Sequence, residues 1–341
     1  MKRKPQIVTF VLVVAFGNLL RAQAPETTLT IGLENVVEYQ VDNSDLSKWG
    51  TNPNSTTGKI AQGMDVGCAG VPVIVYGDIV SVNGDPVRGT YVSRAVSVCL
   101  SPTPRAGLEA IADITANSYR DETYYILQSD GVTPIGTIMV NGLNGSVSPR
   151  PPGPPSGGQN FAIVGGTGAF LGARGQKGSG NGGITGNRTA SITEDPANRR
   201  QNGGGRGSFA FYVIPMFRPE VLITPNGPAV THSNDFSLVS STKPATAGEI
   251  LSLFATGLGP TRTSLAPGQP FPSSPLAQVS SPVTVYANGK TAEVLGAVGY
   301  PGATDGYQVN FRLPPDTTKG MASIQVSAAW IPGAPVSIPV Q

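Results

Sequence analysis

The chain has a single histidine, two cysteines, only 13% charged residues and little aromatic content. Each scarcity closes a class of function. No His/Cys cluster has the ligand spacing of a zinc site, and the short acidic spots lack a calcium-loop pattern. No metal and no cofactor is therefore expected. His232 has Ser233, Asn234 and Asp235 beside it, but sequence neighbours do not make a catalytic triad, which needs convergence in space. It reads as a lone surface histidine in a boundary segment, and no catalytic residue is identified.

What is abundant is glycine (44) and proline (31) in 341 residues. Both are costly inside helices, so the composition favours many short strands joined by turns. The length suits two domains, each with its own core.

The N-terminus carries Lys2, Arg3 and Lys4, an apolar stretch from Ile7 to Phe16, and Ala22-Gln23-Ala24. That order of basic, apolar and small residues is a secretory signal over residues 1–24. A membrane anchor would need about 20 apolar residues, and Asn18 and Arg21 interrupt the run. Pro25 is a poor residue to follow a cut, so the cleavage site itself stays open. Residues 1–24 hold four basic and no acidic residues, so their removal turns the formal +2 into −2. No basic field remains to attract nucleic acid, and no membrane span is expected after signal removal.

Export to an oxidising compartment suggests that Cys68 and Cys99 form one disulfide. The bridge would close a loop of roughly 30 residues and contribute about 3 kcal/mol. The alternative, a reactive thiol, needs a basic or histidine neighbour.

Strand-like runs recur from Thr28 onward, among them TLTIGLENVVEYQV, VPVIVYGDIVSV, TYYILQ, GTIMVNGL, FAIV and SFAFYVIPMF. GLEAIADITANSY suits a helix face or a strand, and its context favours strand. The Pro-rich stretch 148–158 reads as a loop within one sheet rather than a domain linker. GQKGSGNGGITGN, with QNGGGRG after it, reads as a mobile hairpin loop. The domain boundary is placed at 218–229. Beyond it come shorter runs with closer turns, and Asn288-Gly289 between two alternating runs is a strong hairpin signal.

FAIVGGTGAFLGARGQ, residues 161–176, poses the sharpest choice. A strand running into Gly-Gly-Thr-Gly could cradle a dinucleotide phosphate, but only if a helix follows. Six glycines follow instead, each costing about 1 kcal/mol in a helix interior. The same residues resemble dirigent proteins and their relatives, the allene oxide cyclases. The match rests on Phe161–Val164, Gly165-Gly166-Thr167-Gly168, Phe170 and Ala173-Arg174-Gly175. It implies an antiparallel eight-stranded β-barrel over residues 25–217, with a ligand cavity at one mouth. It also implies turn glycines Gly165, Gly166 and Gly168, and Arg174 and Thr167 as ligand-binding candidates. The acidic residue that plant members often carry after this motif is Ala169 here, and their His-Asp pair is absent from the opening strand.

AGEILSLFATGLGPT and DGYQVNFRLPP resemble a C-terminal domain repeated across secreted proteins of Solibacter-type acidobacteria. Gly248, Glu249, Gly257, Gly259, Pro260, Tyr307, Gln308, Val309 and Asn310 carry that match. It implies an Ig-like β-sandwich over 230–341 and a bacterial source.

The overall expectation is an all-β exported protein. Its barrel would bind, and in one version orient, a hydrophobic or phenolic small molecule. Its second domain would act as an accessory that meets a cell-surface or extracellular partner. Two other readings stand beside this one: a non-catalytic adhesion or glycan-contact protein with a filled barrel, and a cyclase or isomerase. Dirigent-like barrels also leave homo-oligomers open.

Overall fold

The computed structural model describes residues 26–40, 73–98, 117–145, 161–191, 194–262, 265–266 and 268–341. The signal segment, Cys68, Cys99, the Pro-rich stretch and residues 107–116 lie outside the described residues.

The N-terminal part contains β1 (Thr27–Gln40), β2 (Val73–Val82), β3 (Asp85–Val98), β4 (Asn117–Leu127), β5 (Pro134–Gly145), β6 (Phe161–Gly168), β7 (Arg174–Thr185), β8 (Arg188–Ser191) and β9 (Gly205–Ile214). A single helical turn, α1 (Arg199–Asn202), precedes β9. Eight of these strands close into an antiparallel barrel in the order β2-β3-β4-β5-β6-β7-β9-β1, sealed by β1 on β2. Side chains alternate across each strand, so Leu29, Ile31 and Leu33 of β1 meet Phe209, Phe211 and Val213 of β9 in one core. Closure leaves these eight strands without a free edge.

β1 is irregular near its middle, with register shifts against both neighbours around residues 33–37. Such a bulge re-aims the residues after it. Val37 and Tyr39 accordingly turn to the outer face, where they pack with Ala190 of β8 and Tyr76 of β2. β8 runs parallel to β1 from Val37 onward, taking the side that β9 has left. α1 then sets Arg199 and Arg200 on the Asp78 carboxylate, with Arg200 Nε at 2.8 Å and Asn35 Nδ2 at 2.9 Å. Burial pushes the Asp78 carboxyl up, but the hydrogen bonds from Arg200, Asn35 and Arg199 outweigh it and hold the group below its ordinary value.

The C-terminal strands are β10 (Glu220–Val221), β11 (Ile223–Thr224), β12 (Gly227–Pro228), β13 (Val230–His232), β14 (Ile250–Thr256), β15 (Val283–Ala287), β16 (Lys290–Gly299), β17 (Tyr307–Arg312), β18 (Gly320–Ala328), β19 (Ile331–Pro332) and β20 (Val336–Val340). All but β11 and β12 join one sheet, ordered β10-β14-β17-β16-β15-β18-β19, with β13 added on β14 and β20 on β18. The sheet curls, so Leu251, Leu253, Val309 and Phe311 from one arm share a core with Val285, Ile324, Val326 and Ile338 from the other. Long β16 belongs to both arms, pairing with β15 at its start and β17 along the rest. The β15–β16 hairpin turns at Asn288-Gly289, both at positive φ (49° and 79°), as its sequence predicts. Residues 218–229 belong to this unit: β10 pairs with β14, and Val221 enters its core.

The second sheet seals one end of the barrel. Three barrel turns lie there: Asn83-Gly84, the β4–β5 turn and the β6–β7 turn. Ala329 and Ile331 join the barrel core. Trp330 Nε1 donates to Asp85 at 2.8 Å, and Arg262 donates to Gln128 at 3.2 Å. Ala329 and Trp330 both hold positive φ (48° and 63°), a conformation uncommon for such residues. It makes the turn after β18 tight enough to press into the barrel mouth.

Candidate functional site

The inner face of β4 is set by a simple alternation. Glu122, Tyr124 and Ile126 are buried, while Tyr125 between them is 49% exposed. Next to β4, β3 brings Tyr91 opposite Tyr124 and Ser93 opposite Glu122. Across the barrel, Lys177 of β7 lies beside Phe161 of β6 and Phe211 of β9. The result is one ionic tier inside an otherwise apolar cylinder.

Lys177 Nζ is 3.0 Å from Glu122 Oε2, and both side chains are out of contact with solvent (0% and 1%). The angle falls short of a hydrogen bond, so this contact is an ion pair only. The carboxylate also accepts the Tyr124 hydroxyl at 2.8 Å and, more loosely, the Tyr91 hydroxyl at 3.3 Å. The ammonium lies 3.5 Å from the centroid of Phe209 and 4.9 Å from that of Phe161, within reach of cation–π attraction. Tyr91 and Tyr124 stack at 4.9 Å, and Phe211 stands edge-on to Tyr124 at 4.8 Å. These contacts hold the tier rigid.

Burial pushes the Lys177 ammonium below its ordinary pKa; Glu122 opposes that shift and the Arg120 charge adds to it. Burial raises the Tyr91 and Tyr124 phenols well above their usual range, with the Glu122 charge reinforcing it. Arg120, two residues before Glu122 on the same face of β4, has its Nε buried without a hydrogen-bond partner among the described residues. Taking charges out of water costs several kcal/mol per ion, and an ion pair alone rarely recovers it. A tier with an unspent guanidinium N–H and a depressed lysine has the chemical make-up of a site that receives an oxygen-bearing guest. Its groups can hydrogen-bond a carbonyl or phenolic oxygen, and can exchange a proton with one.

The residues singled out in the sequence lie elsewhere. Arg174 is exposed on the outer side of β7, and its guanidinium donates to the carbonyls of Val164 (2.8 Å) and Ala173 (2.9 Å). Thr167 is also exposed, and its hydroxyl meets that of Thr137 at 2.7 Å. Neither faces the tier. The Gly-Gly-Thr-Gly corner folds β6 back on β7 as an antiparallel pair. A Cβ on Gly166 would stand 2.3 Å from the Phe170 carbonyl, and Gly168 holds φ 62° with the Ile135 carbonyl 2.5 Å from where its Cβ would be. These glycines serve close approach and turning.

Lys177 was hidden inside GQKGSGN, which reads as a glycine loop but forms the strand β7. Glu122 had a legible signal: Arg120, Glu122, Tyr124 and Ile126 share one strand face in RDETYYIL, which places a carboxylate among core residues. His232 requires a correction. It is buried at 4% exposure rather than on the surface. Its Nδ1 is 2.5 Å from Glu249 Oε1, and Glu249 Oε2 accepts the Thr246 N–H at 2.8 Å. The pair clamps the start of β14 to β13.

No protein-family model matches the chain, and no curated protein matches it.

Proposed function

We propose that the barrel binds a hydrophobic small molecule bearing a carbonyl or phenolic oxygen, and holds that oxygen at the Glu122–Lys177 tier. The observation that carries the reading is a fully buried carboxylate–ammonium pair with two phenols, enclosed by aromatic and aliphatic walls. The resemblance of the Gly-Gly-Thr-Gly region to dirigent proteins supports it, since those barrels orient reactive phenolic intermediates. Positioning would then do most of the chemistry. A cyclase or isomerase step would draw on Lys177 and Glu122 rather than on Arg174. The secretory pattern of residues 1–24 places the protein outside the cytoplasm in this proposal. The curled C-terminal sheet, read as an Ig-like accessory of Solibacter type, caps the barrel on one side.

The test is mass spectrometry of small molecules released from the exported full chain, compared with a Lys177→Met variant. A companion titration uses 4-propylphenol as probe. Retention of an oxygenated apolar compound or binding of the probe, lost in Lys177→Met, supports the proposal. If nothing is released and the probe fails to bind, the proposal is wrong. A second reading, surface contact without chemistry, is favoured by the dense packing at the capped end of the barrel.

A further inference from the structure

The outer face of the C-terminal sheet carries a second site, unconnected with the barrel interior. Tyr307, Val309 and Phe311 of β17 point into the core, so Gln308 and Asn310 between them point out. They floor a cleft of about 410 Å³, whose walls include Tyr300, Leu276, Leu295 and Gln278. That volume lies within the range of small-ligand pockets.

The polar groups in the floor are pre-ordered and only half used. Asn310 Oδ1 accepts the Ser252 hydroxyl at 2.8 Å and Gln308 Nε2 at 2.9 Å. A side-chain carbonyl has two lone pairs, so that oxygen is saturated. The Asn310 amide hydrogens and Gln308 Oε1 remain unspent among the described residues. The Ser252 hydroxyl in turn meets Ser233 Oγ at 2.9 Å, which fixes the row from behind. One open donor and one open acceptor therefore stand side by side.

The walls are apolar and partly aromatic. Tyr300 is 46% exposed and stands edge-on to Phe254 at 5.6 Å. The register shift between Val294 and Gly296 leaves Leu295 bulged outward, also 46% exposed. Gly296 sits opposite Asn310, and a Cβ added there would meet nothing within 4 Å. Neither packing nor positive φ requires glycine at that position; its effect is to leave the floor flat and empty.

No charged side chain lines the cleft. An anionic or cationic ligand would lose its hydration without gaining a counter-charge. A neutral ring with alternating hydroxyls fits instead: its C–H face rests on Tyr300 and Leu295, and adjacent hydroxyls bridge the amide donor and acceptor. We infer that the Gln308–Asn310 cleft binds a neutral carbohydrate.

The experiment is saturation-transfer NMR on the full chain with cellobiose, maltose and lactose as probes and glucuronic acid as the charged control. At least one neutral disaccharide is expected to bind with a Kd on the order of 1 mM. Gly296→Leu, which fills the cleft and touches no core atom, abolishes the signal. Tyr300→Ala weakens it roughly tenfold, about 1.4 kcal/mol. Lys177→Met leaves it unchanged, which separates this cleft from any guest of the barrel. Thermal unfolding confirms that the variants are folded, and Gln308→Ala serves if Gly296→Leu is not. The inference is overturned if the three disaccharides give no transfer, if the filled or trimmed cleft binds as before, or if glucuronic acid binds equally well.

Discussion

The two cores of this protein are built on different terms. The C-terminal core is aliphatic and aromatic throughout, from Leu251 and Phe311 to Ile338. The barrel core has similar walls but encloses Glu122 and Lys177 at full burial. A core devoted only to stability gains little from such a pair, because apolar residues of the same volume usually do as well or better. The barrel has therefore given up stability at a defined height along its axis, and the second sheet has not. That contrast is the main physical reason to place a guest site in the barrel, and it can be tested directly.

The largest expected effect comes from splitting the pair. Glu122→Leu leaves Lys177 buried without a counter-charge and should cost about 3–5 kcal/mol in urea unfolding. The double variant Glu122→Leu/Lys177→Met should recover at least half of that loss. A small cost for the single variant would mean that the tier is not a tight ion pair, and the contrast between the cores would fail.

Acid should then separate the two regions. Asp78 has a depressed pKa in the folded barrel, so its stabilisation is complete above the unfolded value near 4 and is lost as pH falls below about 4. Asp78→Asn should flatten that slope. In the second sheet, Asp235 is held low by hydrogen bonds from Lys243 and Ser237, but this pair is exposed. Its contribution should fade in high salt while that of Asp78 persists. Urea midpoints between pH 2 and 6, with and without salt, check both statements.

Alkali addresses the tier itself. Because Lys177 is depressed on folding, the unfolded chain holds more protons below its normal pKa, so this group makes stability rise as pH climbs towards about 10.4. Tyr91 and Tyr124 act in the opposite sense: their contribution is full below about 10 and is lost above it. Lys177→Met should remove the rising limb and keep the fall.

Smaller effects follow. Ile324→Val in the apolar core should cost about 1 kcal/mol, and it should add to a distant partner change without coupling. Arg174→Ala should cost no more than about 0.5 kcal/mol, as expected of an exposed residue, and should leave ligand retention intact. Loss of ligand in that variant would return the site to the outer corner.

Much of the fold was legible because strand alternation and turn chemistry are local. FAIVGG followed by more glycine excluded a helix, and Asn288-Gly289 announced its hairpin. The buried tier was largely illegible. Glu122 lay on the core face of its strand in plain view, but Lys177 came from a stretch whose glycines masked its strand character. Arg174 attracted attention through a motif, and the barrel put it outside because the alternation of β7 sends Lys177, not Arg174, to the inner face. His232 looked exposed because its partner Glu249 is 17 residues away along the chain.

The sequence by itself determined that this is an all-β chain with a turn-rich second unit and a reversal at the Gly-Gly-Thr-Gly corner. Each of these is a property of neighbouring residues and their allowed backbone angles. Only the tertiary structure decided which polar residues face inward, which sheet arm shows Gln308 and Asn310 to solvent, and which mouth of the barrel is capped. Those outcomes depend on register and closure, which join strands far apart in the chain, and a shift of one residue would send every side chain of a strand to the opposite face.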